Sequence, residues 1–115
     1  MIKVNWDVEE LVALIDIYRK SEGKTVEQIE SELQLLSETL MRRADKLGIE
    51  HDEKFRNYNG IKMMFQNVVY VATDGQKGLS ATSFPMRKVY EMLSTSPEVF
   101  DLILVEFEKR YRVKR

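Results

Sequence analysis

Apolar residues recur along this chain at every third or fourth position, in separate stretches divided by helix caps and glycines. That spacing commits it to burying one face of each of several helices. The first stripe is Val8, Leu11, Val12, Ile15 and Tyr18. Asp7 precedes it as an N-cap, Glu9 and Glu10 suit the positive end of the helix dipole, and Arg19 and Lys20 suit the other end. A helix is therefore expected over 7–20, with Trp6 packing back onto its stripe. Thr25 and Gln28 form a capping-box pair for a second helix, whose core face is Ile29, Leu33, Leu36, Leu40, Ala44 and Leu47. Gly48 is placed to end it, and Ser37 divides it into two if its hydroxyl competes for backbone bonds.

Residues 50–60 are polar and turn-rich, and the next stretch admits two readings. Ile61, Met64, Phe65, Val68 and Ala72 share a helical face, which favours a third helix through about residue 71. Val68, Val69, Tyr70 and Val71 are β-branched or aromatic and precede Asp74-Gly75, which makes a short β-hairpin near 67–82 the alternative. A loop follows over 73–83. Pro85 suits the first turn of a fourth helix carrying Val89, Met92 and Leu93. Ser96 and Pro97 open a fifth, with Val99, Phe100, Ile103, Leu104, Phe107 and Tyr111 as its stripe. The expected fold is mostly α, a compact helical bundle with a helix-turn-helix-like core.

At 115 residues, 43% of them hydrophobic and 32% charged, the chain fits one globular domain over 1–115. It has no cysteine, which excludes a disulfide framework and thiolate metal sites. Acids at 7, 9 and 10 interrupt any signal peptide, and no stretch approaches the ~20 apolar residues that span a bilayer. No membrane partner and a cytoplasmic location are expected.

The net charge of −1 hides an asymmetry. Residues 1–53 balance at −6, residues 54–90 at +5, and Lys109, Arg110, Arg112, Lys114 and Arg115 crowd the last seven positions. Segregation of this kind can build a basic face that attracts phosphate, and it also arises from ordinary variation over a solvated helical surface.

Catalytic constellations are missing. There is no cysteine nucleophile, and His51 is the only histidine. A lone histidine in a polar stretch is more often a loop residue than a base, and zinc chemistry needs three ligands. Gly75 and Gly78 lack the lysine–hydroxyl pair of a phosphate loop. No catalytic residue, metal or cofactor is expected, and the chain reads as a non-enzyme.

The segment 54–77 instead combines cations, side-chain amides and aromatics. Asn59, Lys62, Met63, Gln66 and Tyr70 lie opposite the Ile61/Phe65/Val68 face, where glutamine can pair with adenine and lysine can meet guanine or phosphate. An ordinary solvated surface would look the same by pattern alone.

These residues also carry a family likeness. Trp6-Asp7-Val8-Glu9-Glu10-Leu11 with Ala13, Leu14 and Tyr18, then Glu30, Leu36-Ser37 and Leu40, resemble a domain found upstream of HNH nuclease domains in bacterial restriction-type proteins. The likeness continues through Phe55-Arg56-Asn57-Tyr58-Asn59-Gly60-Ile61-Lys62-Met63, Gln66-Asn67, Gly78-Leu79-Ser80 and Val89-Tyr90. It covers roughly 5–93, and no HNH histidines follow, so nuclease activity is not implied. The resemblance implies a DNA-binding module of a restriction or defence system, acting on double-stranded DNA. On that expectation Arg56, Lys62 and Lys77 contact phosphates, with Lys54 beside them, while Asn57, Asn59 and Gln66 read bases. The rival is a protein-binding module such as an immunity protein, antitoxin or nuclease inhibitor, which the acidic first half would suit. A homo-oligomer is compatible with either.

Overall fold

The structure, a computed structural model, describes residues 4–80 and 84–113. Five helices run in the order α1 (Val8–Arg19), α2 (Val26–Leu47), α3 (Tyr58–Ala72), α4 (Phe84–Thr95) and α5 (Pro97–Tyr111), with no strand among the described residues. Lys114 and Arg115 of the basic C-terminal cluster, and positions 81–83 of the expected loop, lie outside them.

The centre is α1. Every residue from Glu10 to Asp16 is buried, and this helix packs against all four others. Leu11, Leu14 and Ile15 meet Leu33, Leu36 and Leu40 of α2, Ile61, Phe65 and Val68 of α3, Met86 and Val89 of α4, and Phe100, Leu104 and Phe107 of α5 in one core. Each such side chain contributes about 1.5–3 kcal/mol by leaving water.

Capping sets the boundaries. The Asp7 carboxylate accepts the Glu10 N–H at 3.1 Å while the Glu10 carboxylate accepts the Asp7 N–H at 3.1 Å, and Thr25 and Gln28 do the same for α2. Gly48, at φ +69°, ends α2 in the left-handed conformation that glycine adopts without steric cost. Ser96 stands at the N-cap of α5 but makes no side-chain capping bond, leaving Pro97 in the first turn as the start signal.

Two expectations change. Ser37 does not divide α2, because its hydroxyl donates across to the Arg56 carbonyl at 2.8 Å and leaves its own helix intact. The hairpin near 67–82 does not form over its described residues: α3 continues through Val68–Val71 to Ala72. Burial of Ile61, Phe65 and Val68 against α1 and α2 outweighs the weak β preference of those side chains. The connection from α2 to α3 takes residues 48–57. No described helix is long and apolar enough to cross a membrane.

Candidate functional site: the solvent face of α3

Trp6, Glu10, Phe55 and Arg56, far apart in the sequence, converge on one knot. The Arg56 guanidinium donates to both oxygens of Glu10 at 2.7 and 3.0 Å and to the carbonyls of Val4 and Asn5 at 3.2 Å. It lies between two rings, 4.6 Å from the Trp6 centroid and 4.4 Å from that of Phe55. Glu10 is 2% exposed, so the pair is desolvated. The backbone of Arg56 adopts φ +48°, unusual for a residue with a side chain, and the Ser37 bond to its carbonyl helps to hold it there. Its guanidinium is thereby engaged inside the protein, not turned to solvent. Asn57 is likewise structural: it caps α3 by accepting the Gly60 N–H at 2.8 Å.

The other candidates are exposed but dispersed. Lys54 sits in the turn before α3, and Lys77 follows its far end, tied through its N–H to the Thr73 hydroxyl. A helix of this length separates those ends by roughly 22 Å. Asn59, Lys62 and Gln66 share one exposed side of α3. The Lys62 ammonium lies over the Tyr58 ring at 5.2 Å and 3.6 Å from the Glu30 carboxylate of α2.

Lys62 and Gln66 edge a groove between α2 and α3 with a volume of about 330 Å³. Its walls are Val26, Ile29 and Leu33 from α2, Met63 and Phe65 from α3, and Leu79 from the following loop. Val26 is 67% exposed, Met63 61% and Leu79 46%. The sequence reading missed Val26 because it lies off the core stripe, and Leu79 because it stands in a polar loop.

That loop is fixed against the helix. The Leu79 N–H donates to the Gln66 carbonyl at 3.1 Å, and the Asn67 amide donates to the Leu79 carbonyl at 3.0 Å. Asn67 is therefore buried rather than solvent-facing. Gly75 lies so close to the Tyr70 ring that a Cβ there would stand 3.1 Å from its hydroxyl. The outer face of α3 is thus open over its first turns and partly covered near Tyr70.

His51 is held at the surface, with Nδ1 3.0 Å from the Asp52 carbonyl, Nε2 2.8 Å from an Asp45 carboxylate oxygen, and its ring 4.8 Å from that of Phe55. The Asp52 carbonyl first, and then Asp45, raise its pKa above the usual 6.5. The folded chain thus holds this proton more tightly than the unfolded one, and the stability gained is full below about 6.5 and lost as pH rises through the folded value. NMR titration of the ring should give a midpoint above 6.5, and His51→Gln should flatten this part of the stability–pH curve. A midpoint at or below 6.5 would reject the bridge.

Among the described residues, no group of three or more His, Cys, Asp or Glu side chains could hold a metal ion. No protein-family model, curated protein or solved structure matches this chain.

Proposed function

We propose that this domain is a non-catalytic docking module whose α2/α3 groove receives an amphipathic helix of a partner protein. One observation carries the reading: Val26, Met63 and Leu79, all well exposed, converge on one groove whose only cation among the described residues, Lys62, already faces Glu30. A groove of apolar walls with a thin polar edge suits helix-in-groove recognition better than it suits a phosphate backbone. The α2 wall adds a sign preference. Glu30 lines the groove, and the sequence holds no cation between Lys24 and Arg42, so a partner helix with a basic flank is favoured. An inhibitor or immunity-type role toward a basic enzyme is compatible with that chemistry.

A second reading rests on Asn59, Lys62 and Gln66 sharing the open side of α3. It is the duplex-DNA role, in a restriction or defence setting, that the family resemblance implies. Fluorescence anisotropy with labelled duplex, combined with capture of host proteins on immobilised domain, separates the two. The docking reading expects a discrete protein retained by the wild type and by Lys62→Ala but lost with Met63→Glu, and no duplex binding at ~50 mM salt. Duplex binding whose log–log salt slope falls by about one unit in Lys62→Ala, with protein capture indifferent to Met63→Glu, would establish the DNA role instead.

A further inference from the structure

A second unpartnered surface lies on α5. Phe100, Leu104, Phe107 and Tyr111 of this helix are buried, yet Val99, Leu102 and Val105 are 49%, 63% and 55% exposed. Three apolar residues on the outer side of a helix leave an uncovered stripe. The charges that flank it indicate what covers it.

The row Glu98, Leu102, Val105, Lys109 advances by four, three and four residues, so the four side chains share one line along the helix. That spacing reads the same in both directions, and its two ends carry opposite charges. All four residues are exposed. Neighbouring basic residues are already engaged: Arg110 with Glu106 at 3.6 Å and Arg112 with Glu108 at 2.7 Å. Glu98 and Lys109 have no partner among the described residues.

We infer that α5 pairs antiparallel with the α5 of a second copy of this chain, about a twofold axis between Leu102 and Val105. In that register each Leu102 faces the other copy's Val105, and each Glu98 faces the other copy's Lys109, so one row supplies both halves of a self-complementary contact. A parallel pairing would place like charges together at each end of the row. Antiparallel helix dipoles add to the preference, because each acidic N-terminal turn meets a basic C-terminal turn. The row is about 16 Å long, and the contact falls at the small, reversible end of protein interfaces. The dimer is therefore weak and concentration-dependent. It leaves the α2/α3 groove free and does not depend on that groove's role.

Sedimentation velocity over a concentration series tests this directly. The weight-average mass should climb from 13.6 kDa toward about twice that value as the chain approaches roughly millimolar concentration. Leu102→Glu should hold it at the monomer value with an unchanged melting temperature, since this residue touches no core. Glu98→Lys and Lys109→Glu should each weaken association about tenfold, because every substitution acts twice in a symmetric dimer. The double reversal, Glu98→Lys with Lys109→Glu, should restore it. Met63→Glu should have no effect on dimerisation. A chain that stays monomeric throughout, a dimer indifferent to Leu102→Glu, or a double reversal that fails to recover would each overturn the inference.

Discussion

Arg56→Ala is expected to destabilise the domain by about 3–5 kcal/mol, since it leaves the Glu10 carboxylate buried without its counter-charge. Glu10 is 2% exposed and its other neighbour, the Asp7 N–H, satisfies only one lone pair. The same substitution empties the space between Trp6 and Phe55. For a domain of this size the melting temperature should drop by about 10–20 °C. Arg56→Lys should recover only part of the loss, because an ammonium neither forks onto a carboxylate nor stacks between two rings. Replacing Glu10 and Arg56 together with methionine should cost much less than Arg56→Ala alone, since no uncompensated charge remains. Thermal and urea melts decide it. A loss under about 1 kcal/mol for Arg56→Ala would mean that the knot does not hold the fold, whereas Lys54→Ala, at an exposed position, should stay within about 0.5 kcal/mol.

Gly78→Ala should have the next largest effect. Gly78 sits at φ +84°, and a methyl group there would overlap the Gln66 carbonyl oxygen and stand 2.8 Å from the Tyr70 nitrogen. Both atoms belong to the α3 backbone, which cannot move aside without breaking its own ladder, so the loop must lift. Lifting loses the Leu79 N–H bond to Gln66 and leaves the buried Asn67 amide without its acceptor. The expected cost is about 2–4 kcal/mol. Hydrogen exchange should show the Leu79 amide losing protection before the amides of α1 do. An alanine variant that melts like the wild type and keeps that amide protected would show the loop to be more pliant than its contacts indicate. Because Leu79 is one wall of the groove, Gly78→Ala should also weaken any partner held there.

Much of the fold was legible because it rests on local chemistry. Asp7, Thr25 and Gly48 mark helix ends by hydrogen bonds reaching only a few residues away, and the Leu33, Leu36, Leu40 row declares its buried face by spacing alone. The candidate site was less legible, because its meaning depends on distant partners. Arg56 and Lys62 look alike as cations in a basic segment, yet one is sealed against Glu10 and the other stands at the surface beside Glu30. Asn57 and Asn67 resemble base-reading amides but serve a cap and a loop. Leu47 belonged to the expected core face of α2 and is 50% exposed, so the buried stripe of that helix ends at Ala44. Val99, expected on the α5 stripe, is 49% exposed, because it stands to the side of the Phe100, Leu104, Phe107 and Tyr111 face that the core buries.

The Glu10–Arg56 bond joins residues 46 positions apart, and this has a consequence for a chain emerging from a ribosome. At about 5–20 residues per second, Arg56 is made roughly 2–9 s after Glu10, and α1 must wait that long for the cation that allows its carboxylate to be buried. Until then the central helix of the bundle cannot complete its packing, however strong its own caps. Nascent chains stalled before Arg56 has left the exit tunnel should therefore remain protease-sensitive throughout, and protection should follow only as α3, α4 and α5 emerge to supply the rest of the core around α1.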